Sequence, residues 1–228
     1  MANGKCSNKA AFGEPGMSKD EDFPQPPNLD QMPRFAGIPT FMRLPLVSDL
    51  KKLDIALIGV PCDGGSTNRA GARHGPREIR NMSSLIRRVN PASGIAPFDL
   101  CRVGDVGDAP VNPIDLADAL ARIQAFFEAL AAAGVVPLGA GGDHLVTLPI
   151  LRAITTERPL GLVQFDAHSD TVDSYFGGQR YTHGTPFRRA VEEKLIDPAR
   201  TVQIGIRGSL FSRDEMAFAR QNGMRLIS

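Results

Sequence analysis

Three side chains able to hold a metal ion stand at i, i+2 and i+4. They are Asp166, His168 and Asp170, directly after the apolar run Gly161-Leu162-Val163-Gln164-Phe165. The run reads as a buried strand. In an extended segment alternate side chains point the same way, so the three are expected to converge on one spot. Two carboxylates and an imidazole suit a hard-to-borderline divalent cation; the plainer alternative is a strand end with ordinary polar caps. His144 offers a further donor. It follows Gly139, Gly141 and Gly142, three glycines within four residues, where an ion can come close to the backbone. Four donors including two carboxylates suggest a pair of ions bridged by Asp166, sharing a water acidified enough to attack near neutral pH. Nitrogen and oxygen donors without thiolate favour Mn²⁺ ahead of Zn²⁺, Fe²⁺ or Co²⁺. Asp143 is expected either to orient an imidazole from behind the ligands or to cap the following helix. His183, on a glycine-flanked loop and outside ligand spacing, reads as a proton shuttle or as a plain loop histidine.

Positioning these groups requires a framework, and the pattern supplies one. Residues 53–60 form a first strand, which runs into a loop with four glycines over 61–76. Pro76 then opens a helix over 77–87. A short strand is expected over 99–103. A long helix follows over 113–133, with Leu116, Leu120, Ile123, Phe127 and Leu130 at helical spacing and Gly134 as its stop. Strand 135–138 delivers the glycines before His144, and helix 145–154 follows. Beyond the metal-capable stretch come helix 187–194, strand 202–206, helix 213–221 and a strand beginning at Met224. About six strands alternate with helical crossovers, and hairpin signals are lacking. This predicts an α/β domain: a three-layer, doubly wound parallel sheet with helices on both faces. Ligands in such sheets sit at the carboxyl ends of the strands, where 139–144, 166–170 and 181–185 all fall.

Composition narrows the function classes. Twenty-six basic and 25 acidic residues nearly cancel, so no long-range field points to nucleic acid or an anionic membrane. No apolar run approaches a membrane span. The first 20 residues lack the apolar core of a secretory signal. Cys6, Cys62 and Cys101 show no paired spacing and read as reduced thiols, so a cytoplasmic location is expected. Residues 1–31, rich in Gly, Pro, Lys and Asp, are expected to be a flexible arm, and 32–228 the domain. Phe35 and Ile38 lie between Pro33 and Pro39 and offer anchors for packing on a neighbouring surface, such as another subunit.

Gly141-Gly142-Asp143-His144, Phe165-Asp166-Ala167-His168-Ser169-Asp170, His183-Gly184-Thr185-Pro186-Phe187-Arg188-Arg189 and Val202-Gln203-Ile204-Gly205-Ile206-Arg207-Gly208 together resemble the ureohydrolases. Within that family they are similar to the agmatinase branch, which includes guanidinobutyrase and guanidinopropionase. The stretches 32–45 and 68–80 are closest to the guanidino-acid hydrolases. The resemblance implies a binuclear Mn²⁺ homo-oligomer that hydrolyses a small guanidino substrate to urea and an amine. His144 and Asp170 would hold one ion, His168 the other, Asp166 would bridge them, and His183 would relay a proton to the departing amine. The family carries a further motif, Ser-x-Asp-x-Asp-x-x-Asp-Pro, and a glutamate that helps hold the guanidinium. Neither occurs in these 228 residues. The expectation is therefore an incomplete ureohydrolase domain whose last strands are missing, a piece of an active enzyme; the alternative is a catalytically defective homologue serving as a regulatory subunit. A Zn²⁺ deacetylase of related fold would need a tandem His-His, which is absent. Arg69, Arg73 and Arg180 are the candidates for reading a substrate carboxylate.

Overall fold

A computed structural model of the chain describes residues 22–28 and 30–228. Most of the arm expected at 1–31 lies outside the described residues. The part that is described includes Phe23, buried in the core with Leu53 and Ala56. Among the described residues the six strands are β1 (Ile55–Val60), β2 (Val103–Asp108), β3 (Val136–Gly141), β4 (Leu160–Phe165), β5 (Ile196–Ile204) and β6 (Arg225–Ile227). The helices are α1 (Gly75–Ser83), α2 (Pro97–Leu100), α3 (Leu116–Ala132), α4 (Thr147–Ile154), α5 (Pro186–Glu192) and α6 (Ala217–Gln221). Every strand pairing is parallel, as expected for an α/β chain.

The strand expected at 99–103 is displaced. Pro97 starts the one-turn helix α2, because its fixed φ suits a first helical position, and pairing begins only at Val103. β3 runs three residues beyond the expected Leu138 to Gly141, carrying the chain up to the His144 turn. β5 starts at Ile196 rather than Val202, with a register shift opposite Leu160–Leu162.

α3 shows why this framework is rigid. The Asp115 side chain accepts from the Asp118 N–H at its start, and Gly134, at φ +72°, ends it. Ala119, Ile123, Phe127 and Leu130 are buried against Ala56, Ile58 and Val60 of β1. The opposite face of β1, through Leu57, packs on Phe41, Leu44 and Phe98. A second core joins Leu145, Leu148 and Leu151 to Phe187, Ile196 and Met224, with Leu160 and Leu162 of β4 against it. Arg80 of α1 ties that helix to β2 through Asp105 (2.8 Å) and Asp108 (2.6 Å) and stacks 4.1 Å from the Phe41 ring centre.

The strands do not form one continuous sheet. They fall into two three-stranded sheets, ordered β2-β1-β3 and β4-β5-β6, so β3 and β4 are both edge strands among the described residues. Both display apolar side chains at alternate positions: Val136 and Leu138 are 60% and 55% exposed, Val163 and Phe165 61% and 78%. Unpaired edges with exposed apolar residues are templates for further pairing. Light scattering of this chain is expected to show concentration-dependent association, weakened by Leu138→Lys or Val163→Lys at unchanged helix content. Association indifferent to both substitutions would place the sticky surface elsewhere.

Candidate metal and proton-transfer site

The site lies at the carboxyl ends of β1, β3 and β4. From β3 the chain turns at Gly142 (φ +23°), where a Cβ would run into the carbonyl oxygens of Val60 and Cys62. Only glycine fits that approach, and it delivers Asp143 and His144 onto a short 3₁₀ turn, His144–Val146. From β4 the chain leaves extended geometry at Asp166, and Asp170 sits at φ +51°. The expected convergence therefore occurs, but a bent loop rather than strand alternation produces it.

His144, Asp166 and Asp170 come together, one donor atom from each within 4.8 Å of the others. His144 Nδ1 is 2.5 Å from Asp170 Oδ2 and 3.2 Å from Asp166 Oδ2. Burial pushes the His144 pKa down, but the hydrogen bond to Asp170 and the charges of Asp170, Asp166 and Asp143 outweigh it, and the net shift is upward. This imidazole–dicarboxylate set matches the donor chemistry of a hard-to-borderline divalent ion. His168 is not brought in with them. Its side chain is 63% exposed, with Nδ1 3.7 Å from Asp166 Oδ1, while its backbone N–H donates to that same oxygen at 2.9 Å.

Two buried amides hold the bent loop, and neither was singled out by motif. Gln203, fully buried on β5, donates through Nε2 to the Ser169 carbonyl (2.7 Å) and to Gln164 Oε1 (2.5 Å). Gln164 Nε2 in turn donates to the His168 carbonyl (3.1 Å). The available signal was a glutamine in each of two apolar strands, since a buried amide must find partners. The Asp170 carbonyl accepts from the Phe187 N–H, which locks α5 onto the loop.

Among the described residues Asp143 makes no hydrogen bond to an imidazole. Its carboxylate caps the next turn, Oδ1 accepting from Leu145 N–H at 2.8 Å, while Oδ2 accepts from Gly65 N–H at 2.7 Å. Burial raises its pKa against the lowering effect of those two N–H groups. His183 stands outside the donor cluster. Its N–H donates to the Gly65 carbonyl, Nε2 lies 2.7 Å from Thr67 Oγ1, and the ring stacks on Tyr175 at 6.4 Å between centres. Thr67, Asn68 and Tyr175 also border a cleft of about 780 Å³, which reaches Thr171 beside Asp170.

Residues 53–228 match the Arginase family. The chain belongs to that family. It is 68% identical over 206 residues to guanidinopropionase of Pseudomonas aeruginosa, covering 90% of this chain and 65% of the relative. Guanidinobutyrase of the same organism is 46% identical over 212 residues, 91% of this chain and 66% of the relative. The solved structure of proclavaminate amidino hydrolase from Streptomyces clavuligerus superimposes with a TM-score of 0.81 at 45% identity, covering 86% of this chain and 65% of that one. The arginase-family chain thus spans about two thirds of the length of these relatives.

The loop from β1 carries its own anchor. Asp63, side chain buried, pairs with Arg73 at 2.5 Å and accepts from Gly71 N–H at 2.7 Å. The Arg73 hydrogen bond and those backbone N–H groups hold the Asp63 pKa at about 2 against an ordinary 3.8, with burial opposing. A depressed carboxylate stabilises the fold above the unfolded pKa and loses that contribution as pH falls toward the folded one. The stability gap between the parent chain and Asp63→Asn is therefore expected to be full above pH 4 and to close as pH falls toward 2. Denaturant titrations across that range check it; a gap independent of pH would refute it. Gln203→Leu is expected to weaken Mn²⁺ binding by about tenfold through a loosened 166–170 loop, read by calorimetry.

Proposed function

We propose that the whole protein is a hydrolase of linear guanidino compounds, releasing urea and an amine or amino acid. The observation that carries this reading is the convergence of His144, Asp166 and Asp170 within 4.8 Å in an arginase-family chain, with His183 held by Thr67 and Tyr175, two residues that border a cleft. Its resemblance to guanidinopropionase extends over 90% of the residues.

His144, Asp166, His168 and Asp170 would hold Mn²⁺; the rest of the relatives' length has room for further ligands. When bound, the ions acidify a water and stabilise charge that develops on the guanidino group. A guanidinium is a poor electrophile, so the carbon–nitrogen bond breaks readily only if the departing nitrogen receives a proton. His183 carries that proton, its ring set by Thr67 and Tyr175. The water oxygen ends in urea and the proton on the amine.

The tail of the substrate is a carboxylate on this reading. Of the three candidate arginines, Arg73 is committed to Asp63 and Arg180 to Glu192. Arg69, exposed and next to the cleft residue Asn68, forms no salt bridge among the described residues. It is the guanidinium left to meet a carboxylate. The exposed Phe35 and Ile38 supply a contact between copies in a homo-oligomer. The near-neutral surface and the absence of a paired cysteine pattern fit a cytoplasmic location, and no described helix is long and apolar enough to cross a membrane.

Urea release with Mn²⁺ is measured on 3-guanidinopropionate, 4-guanidinobutyrate and agmatine. The 228-residue chain is compared with the same chain completed by the part of guanidinopropionase that it does not match. Weak Mn²⁺ binding and no turnover are expected of the chain alone, and preference for a guanidino acid of the completed protein. No urea from any of the three by the completed protein would sink the reading. In the completed protein, Arg69→Ala is expected to raise KM for the preferred acid about tenfold and leave agmatine unaffected.

A further inference from the structure

Two loops far apart in sequence must keep a fixed distance for the proposed chemistry. One carries His144 after β3, and the other carries His183 ahead of α5. Among the described residues no hydrogen bond between their side chains joins them. The connection runs instead through the loop that follows β1, and it consists of backbone groups gripped by one buried carboxylate.

Asp143 is 8% exposed, and its two oxygens are both spent on backbone N–H groups, those of Leu145 and Gly65. The Asp143 N–H donates to the Cys62 carbonyl, so the residue is held to the β1 loop at both its backbone and its side chain. The same Gly65 peptide then accepts, through its carbonyl, the N–H of His183 at 2.9 Å. The position admits no other residue without displacement. A Cβ on Gly65 would lie 2.9 Å from Leu145 Cβ and 3.0 Å from Asp143 Oδ2. Two residues on, Thr67 Oγ1 meets His183 Nε2 at 2.7 Å. His183 is therefore fixed at its backbone through Gly65 and at its ring through Thr67.

We propose that Asp143, Gly65 and Thr67 form a strut from the metal-binding turn to the proton carrier, in which Asp143 sets the place of His183 and Thr67 sets its tautomer. This rests on the reading of His183 as the proton carrier. Both residues are positioning residues and touch no reacting atom. A neutral imidazole has one N–H and one bare nitrogen, and the partner of one nitrogen decides what the other does. With Nε2 engaged by the threonine hydroxyl, Nδ1 is the nitrogen at which His183 gives or takes its proton.

The test needs no turnover and uses the 228-residue chain. In ¹⁵N-labelled protein with the ring neutral, Thr67→Val is expected to shift the two His183 ring nitrogens toward the averaged values of an exchanging tautomer pair, and Thr67→Ser to retain the parent values. Ring shifts unchanged by valine, or not restored by serine, overturn the tautomer assignment. Asn at position 143 would present an N–H₂ to one of two N–H donors. Asp143→Asn is therefore expected to speed amide exchange at Gly65 and His183 by about tenfold or more, while amides in β5 hold. Equal protection in both chains overturns the strut; if Asp143→Asn does not fold, the Thr67 pair decides. In the completed protein Thr67→Val is expected to lower kcat with KM little changed. Loss of urea release from every variant and the parent alike would count against the function, whereas the ring and amide measurements judge the strut alone.

Discussion

Two carboxylates brought to one point are the constraint on which the rest of this structure depends. Asp166 and Asp170 both face His144 Nδ1, the nearer oxygen at 2.5 Å. An oxygen of each lies within 4.8 Å of the other; like charges that close repel, and burial strengthens the repulsion. The chain offsets it with a rigid loop: Asp170 in a left-handed conformation, the His168 N–H on Asp166, and the Gln164–Gln203 amides gripping the loop carbonyls. The raised His144 pKa is the electrostatic counterpart, positive charge drawn to where a divalent ion would be favoured.

That arrangement explains why the site is built on strand ends. Parallel strands β1, β3 and β4 carry the three loops to a common rim, and the helices behind them fill two cores that keep the strand ends in place. Leu145 joins these roles: its N–H is capped by Asp143, its side chain lies in the second core, and its Cβ is what any side chain at Gly65 would meet. Packing and chemistry are thus set by adjacent residues of one turn. β3 and β4, which lead into the site, are edge strands among the described residues, and about a third of the length of guanidinopropionase has no counterpart in the matched part of this chain.

Much of this was legible in the residues themselves. Apolar runs and helical spacing announce β1, α3 and β4 because local patterning dictates which face is buried. Asp166, His168, Asp170 and His144 were identifiable as donors from residue type, with the glycines marking where backbone approaches closely. The i, i+2, i+4 argument assumed an extended chain past Phe165, whereas the chain bends there and the His168 side chain stands 63% exposed, Nδ1 3.7 Å from Asp166 Oδ1. The strand at 99–103 failed for a local reason, since Pro97 starts a helical turn that competes with pairing.

What the sequence by itself determined is therefore the chemistry available: donors without thiolate, a loop histidine, alternating strands and helices, and membership of a family legible in several motifs. Only the tertiary structure decided partnership. Asp143 bonds to the Gly65 N–H, Arg73 and Arg180 are spent on carboxylates while Arg69 forms no salt bridge among the described residues, and two glutamines in separate strands meet beneath the metal-capable loop. Those outcomes depend on residues brought together from distant parts of the chain, 78 positions apart for Gly65 and Asp143. Side-chain type and local spacing carry no information about which distant backbone N–H a buried carboxylate will find, because that is fixed by how the strands are ordered and how the helices pack between them.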